Sequence, residues 1–165
     1  MSECRVSLAE ITIRREALAS AAAARLIEAL NLELSERYPE EGANHFRLDP
    51  EEVEEGRGAF FIAYANSSPI GCGAVRQIDS RTAEIKRMYV EPGARGVGLG
   101  RRMLAILEAE AHRLGATRIV LEAGDRLPEA LALYSQAGFV PIPAFGEYVS
   151  SPLSVCMGKD LSWAS

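Results

Sequence analysis

The sequence predicts an α+β fold, with helices packed on a mixed, mostly antiparallel sheet of six to seven strands. Three observations carry this expectation. Three apolar, β-rich segments between residues 59 and 90 are separated only by short polar turns, the signal of a meander. Beyond them the pattern changes to helix, strand, helix and two strands, which layers helices on a sheet. The chain has 165 residues, 48% hydrophobic and 25% charged, enough to bury a core in one domain over residues 1–165.

Residues 6–13 partly alternate and are followed by Arg14, Arg15 and Glu16, which predicts a first strand. Leu18, Ala22, Leu26, Ala29, Leu30 and Leu34 recur at helical spacing, so an amphipathic helix follows that must stop before Pro39. Asp49-Pro50 reads as the cap and first position of a short helix ending by Gly56. Residues 59–65 and 70–78 form a hairpin, and residues 82–90 extend it to a third antiparallel strand. A helix is expected from about Gly98, with Leu99, Met103, Ile106, Leu107 and Leu114 as its buried stripe and Gly115 as its stop. Residues 118–123 read as a strand, 128–137 as a short helix closed by Gly138, and 139–142 and 154–161 as the last two strands.

Composition narrows the function. A formal net charge of −5 argues against nucleic acid as the main partner. The charge is uneven. Nine carboxylates face two arginines between residues 31 and 56, whereas Lys86, Arg87, Arg95, Arg101 and Arg102 outnumber Glu84 and Glu91 between residues 84 and 102. One region is suited to attract a cation and the other an anion, unless both are simply solvated faces. The longest uncharged stretches, 59–75 and 130–146, are broken by turn residues and predict no membrane span. Glu3, Arg5 and Glu10 interrupt any early apolar run, so a cytoplasmic protein is expected. Cys4, Cys72 and Cys156 are too widely spaced for a staple framework or a zinc pattern, and read as thiols of a reducing compartment. No basic residue neighbours Cys72 or Cys156 to activate it, and His45 and His112 are single, so no metal is expected.

Arg95-Gly96-Val97-Gly98-Leu99-Gly100-Arg101 leads from a strand into a helix. The first turn of a helix leaves amides unpaired at the positive end of the dipole, and glycines let an anion approach them. A dinucleotide fingerprint fails at Arg101, and a nucleotide P-loop lacks its Gly-Lys-Ser/Thr. A plain Gly-rich turn that starts a helix is the alternative.

Downstream stand Leu133, Tyr134, Gly138 and Phe139. An Arg-x-x-Gly-x-Gly loop (Arg95, Gly98, Gly100) with this Leu-Tyr-x-x-x-Gly-Phe segment resembles the GNAT superfamily of acyl-CoA-dependent N-acetyltransferases. The motifs cover residues 59–161, and upstream the likeness rests on element order alone. The resemblance implies a three-layer α/β/α sandwich whose central strand pair splays to admit acetyl-CoA. It implies pantetheine contacts from Met88, Tyr89 and Val90, and pyrophosphate contacts from Arg95, Gly96, Val97, Gly98, Leu99, Gly100 and Arg101.

The implied reaction is direct attack of a primary amine, of a small molecule or peptide, on the thioester. Tyr134 becomes the candidate acid at the leaving sulfur, with core packing as its structural alternative. Glu84 is the candidate base, with a salt bridge to Lys86 or Arg118 as its alternative, and Glu122 is the rival base or ammonium ligand. The acceptor site is expected from residues 31–56 and 143–153, with Tyr38, Phe46 and Glu122 as candidate contacts. A non-catalytic acyl-CoA-binding regulatory module and a peptide N-terminal acetyltransferase are the competing readings. A homodimer is left open.

Overall fold

The computed structural model describes residues 7–39 and 47–161. Seven strands form one sheet in the order β1-β2-β3-β4-β5-β7-β6: β1 Ile11–Arg15, β2 Gly58–Ala65, β3 Ser68–Gln77, β4 Thr82–Val90, β5 Arg118–Gly124, β6 Val140–Pro141 and β7 Ser154–Asp160. Only β4 and β5 pair in parallel, and every other neighbouring pair is antiparallel.

Helix α1 (Ala21–Arg37) begins at Ser20, whose hydroxyl accepts from the Ala23 amide at 3.1 Å, and stops before Pro39. It buries Ala23 and Leu26 against Phe60, Ile62, Tyr64, Cys72, Ala74 and Tyr89 on one face of the sheet. Helix α2 (Leu99–Arg113) covers the other face through Leu99, Met103, Leu104, Leu107 and Ala111. Fully burying one such leucine or methionine contributes roughly 1.5–3 kcal/mol. Helix α3 (Pro128–Gln136) belongs to the α2 cluster and reaches α1 through an ion pair between Arg37 and Glu129. Helices therefore cover both faces of the sheet. No helix among the described residues is long and apolar enough to cross a membrane.

Three local expectations shift. Strand β1 starts at Ile11 rather than residue 6, because Leu8–Glu10 forms a 3-10 turn capped by Ser7, and it continues through the charged Arg14 and Arg15. Those arginines suit an edge strand: Arg14 lies over the Tyr64 ring, and Arg15 pairs with the buried Glu110 of α2. In the α2 stripe Leu104 is buried where Ile106 was expected, Ile106 being only half-buried. Strand β6 keeps two residues, since Pro141 has no amide to donate and Phe139 turns inward to meet the Tyr134 ring edge-on at 5.9 Å.

Two irregularities in β4 make the site. Opposite Gly73 the ladder skips from the Cys72–Tyr89 pair to the Ala74–Lys86 pair, so β4 bulges at Arg87 and Met88, and Arg87 adopts φ 59°. Pairing between β4 and β5 ends at Ile85–Leu121, whereas β5 stays paired with β7 as far as Gly124. The two parallel strands separate beyond that point.

Candidate active site

The separation opens into two cavities that share Leu30, Leu34, Met88, Leu127, Ala130 and Tyr134. The larger, about 620 Å³, runs along Met88, Tyr89 and Val90 to Arg95, Gly96 and Gly98–Arg101. Gly98 caps α2 in the left-handed region at φ 89° with no side-chain cap, so the first helical amides meet no protein acceptor from the capping residue. Gly96, at φ 85°, has nothing within 4 Å of where a Cβ would stand. The arrangement is an open amide cradle beside a strand edge without a partner. It fits an extended arm bearing amides and a diphosphate. Val97 does not line this cavity; its side chain packs against the α2 core. Arg95 lines the cavity, but its guanidinium donates to both oxygens of Glu33 at 2.9 and 3.0 Å and to the Val90 carbonyl at 2.8 Å.

The smaller cavity, about 130 Å³, lies deeper between the strands. Its walls include Tyr38 just past α1, Lys86 and Met88 of β4, Glu122 of β5, Tyr134 of α3, Tyr148 of the 3-10 turn Gly146–Tyr148, and Ser154 at the start of β7. Burial pushes the Glu122 carboxyl from an ordinary 4.5 up to about 7; Ser154 and Lys86 oppose the rise, and Glu84 and Glu147 add to it. Burial, with the Glu122 charge second, raises the Tyr134 hydroxyl well above its ordinary value. Tyr134 is 6% exposed, and no described protein group hydrogen-bonds its hydroxyl at the junction of the two cavities. One residue is thus a carboxyl near half-ionisation at neutral pH, and the other a phenol that stays protonated.

Glu84 does not line either cavity. It is 0% exposed and receives the Arg76 guanidinium at 2.8 Å and the Tyr148 hydroxyl at 2.6 Å. In this placement the Glu84 carboxylate is enclosed by an arginine and a tyrosine and reaches neither cavity, so the geometry does not support the expected base role. The salt-bridge alternative is realised, with Arg76 rather than Lys86 or Arg118 as the partner.

Tyr38 does wall the small cavity. Its hydroxyl is occupied, accepting from the Arg126 amide and donating to Asp125 at 3.2 Å. Gly124 makes room for that hydroxyl, since a Cβ there would stand 2.1 Å from it. Phe46 lies outside the described residues. Among the described residues the acidic stretch contributes no carboxylate to the small cavity, while Glu33 lines the larger one. Glu33, Asp49, Glu52 and Glu55 are instead engaged with Arg95, Arg47, Arg76 and Arg113. Its expected role as a field for an ammonium is not supported by this placement.

The described cysteines are buried: burial pushes the Cys72 thiol up to about 12, and it donates to the Arg87 carbonyl at 3.2 Å. A covalent acyl-cysteine finds no thiolate there. Among the described residues no group of His, Cys, Asp and Glu is placed to hold a metal ion. Lys86 and Ser154 are wall residues that the sequence reading missed, whereas Tyr148 falls within the expected acceptor segment 143–153 without having been singled out. Only Lys86 carried a signal, two residues after Glu84 on the same strand face.

A family model described as "Acetyltransferase (GNAT) family" matches residues 23–139. A protein of Azospirillum brasilense named "IAA acetyltransferase" is 38% identical over 152 residues, which is 92% of this chain and 98% of that protein. A crystal structure from Klebsiella pneumoniae, described as a candidate acyl-CoA N-acyltransferase, is 32% identical and superposes with a TM-score of 0.77 over 93% of this chain and 99% of that one. A GNAT family acetyltransferase from Elizabethkingia anophelis, solved with acetyl-CoA bound, shares the fold at 19% identity with a TM-score of 0.65, covering 92% and 99% of the two chains.

Proposed function

The chain belongs to the GNAT family of acetyl-CoA-dependent N-acetyltransferases, and from that premise we propose that its acceptor is the primary amine of a small molecule, deprotonated by Glu122. The observation that carries this reading is that Glu122 walls the small cavity together with Tyr134, which stands where that cavity meets the larger one. Bound acetyl-CoA supplies a thioester whose carbonyl carbon the amine attacks, forming the C–N bond as the C–S bond breaks.

Everything else falls to the chain. The unpaired edge of β4 at Met88–Val90 holds the pantetheine arm, and the amides from Gly96 to Arg101 hold the pyrophosphate. The Glu122 carboxylate accepts the proton that the amine must lose, a role suited to a group titrating near 7. Tyr134 gives its proton to the departing sulfur, so the products are the acetamide and the free thiol. Leu30, Leu34 and Leu127 give the junction an apolar lining. Residues 1–165 are read as one catalytic domain, since a single sheet carries both cavities, and the protein is read as cytoplasmic from its scattered thiols.

The test is thiol release from acetyl-CoA with a panel of small amines and short peptides. Turnover on small amines with none on peptides supports the reading, and turnover restricted to peptides contradicts it.

A further inference from the structure

We propose that the acceptor carries a carboxylate beside its amino group, as an α-amino acid does, and that Lys86 binds this carboxylate. The proposal rests on the reading of the smaller cavity as the acceptor site. Ile85 and Leu121 are the last pair of the parallel ladder, and both face the α2 core. The next residues, Lys86 and Glu122, therefore face the opposite side from the two lips of the gap. Both line the smaller cavity, and neighbouring strands set them apart by about 4.8 Å or more.

A buried ammonium is costly unless its protons are bonded, so the partners of Lys86 identify its task. Its side chain is 4% exposed. Nζ donates to the Arg47 carbonyl and to Glu147, 3.1 Å away. An ammonium has three donors, and the described residues claim two of them. Nζ also lies 5.9 Å from the ring of Tyr148, which walls the cavity. A cation with one donor to spare thus lines the same cavity as a carboxyl titrating near 7.

In an α-amino acid the amino and carboxylate groups are two bonds apart. With the amine at Glu122, the carboxylate falls toward the neighbouring strand, where Lys86 can receive it as a charge-assisted hydrogen bond. A peptide N-terminus offers a neutral carbonyl at that position, and a simple amine offers nothing.

The test uses matched acceptors: an α-amino acid, its carboxamide and the corresponding decarboxylated amine, over several side chains. The wild-type protein should favour the amino acid by about tenfold or more in kcat/KM, the size of one charge-assisted hydrogen bond. In Lys86→Met the preference should collapse to below about threefold through a higher KM for the amino acid, and Lys86→Arg should restore part of it. Glu147 is 43% exposed, so water can solvate it when Lys86 is replaced. The wild-type panel needs no variant and stands if Lys86→Met fails to fold. Equal or better use of the carboxamide or the simple amine by wild type overturns the proposal, as does a preference that survives in Lys86→Met. If Glu122→Gln changes acceptor kinetics while those results go against Lys86, the acceptor site stands and only its carboxylate specificity falls. If neither variant has an effect, the site assignment falls as well.

Discussion

The Tyr148 hydroxyl donates to the Glu84 carboxylate across 2.6 Å, so one wall of the small cavity hangs from a carboxylate that never faces it. Glu84 is fixed in turn by Arg76 of β3, and Arg76 by Glu52 in the turn before β2. A partly buried chain of contacts thus runs from the acidic stretch to the smaller cavity. We propose that it acts by position rather than by moving a proton.

Glu84→Gln tests that role. The amide weakens the hold on Tyr148 and leaves Arg76 short of a charge partner, at a cost of about 1–3 kcal/mol in stability by denaturant melts. Acceptor KM should rise several-fold, while kcat keeps the pH dependence of the parent. A loss confined to kcat with an altered pH profile would return Glu84 to proton transfer.

Stability itself should report the burial of Glu122. Its folded pKa of about 7 lies above the ordinary 4.5, so the folded state favours the neutral acid. The contribution is fully present below pH 4.5 and is lost as the pH rises through 7. Glu122→Gln removes this penalty. The variant should gain on the order of 1–3 kcal/mol relative to wild type at pH 8 and nothing at pH 4. Parallel pH–stability curves for the two proteins would contradict the raised pKa.

Tyr134→Phe keeps the edge-on contact with Phe139 and deletes one hydroxyl. Melting temperature should hold, while kcat falls roughly 10- to 10³-fold, the range for a positioned acid. A fully active variant would make Tyr134 a core residue only.

Gly98→Val places a branched side chain at φ 89° and narrows the approach to the α2 amides. Acetyl-CoA affinity by calorimetric titration should drop about tenfold or more, an effect of order 1.4 kcal/mol. Arg95→Ala should cost less, because Glu33 already holds that guanidinium. Unchanged affinity in Gly98→Val would remove the loop from the cofactor site.

The glycine-rich start of α2 and the order of elements along the chain were legible in the sequence because both depend on local spacing: glycines around Leu99, apolar periods in α1 and α2, and short polar turns in the meander. The base was not legible in that way. Glu84 and Glu122 both sit inside apolar strands, two and four residues past their starts, and sequence cannot tell which one lies beyond the last paired rung. Ladder length decides it: Glu84 precedes the Ile85–Leu121 pair and is walled in, whereas Glu122 follows it and faces the gap. Tyr148 falls in the 143–153 segment expected to help build the acceptor site, but it was not legible as an individual contact, since it lies in a 3-10 turn without period and is held from β4 by Glu84. The ion pairs of the acidic stretch were not legible either, because several of its carboxylates meet arginines far away in sequence, as Glu33 meets Arg95 and Glu52 meets Arg76.

The central claim is that Glu122, at the open end of the β4–β5 gap, takes the proton from the acceptor. The pH dependence of kcat/KM with an active amine, measured for wild type and Glu122→Gln, tests it most directly. The account predicts a wild-type rate that rises through a pKa near 7, the value at which burial sets Glu122, before the ionisation of the amine itself takes over. Glu122→Gln should lose that limb and fall by about 10²- to 10⁴-fold near neutrality, recovering partly at high pH, where more amine is already deprotonated. A Glu122→Gln variant that keeps both the rate and the limb near 7 would contradict it.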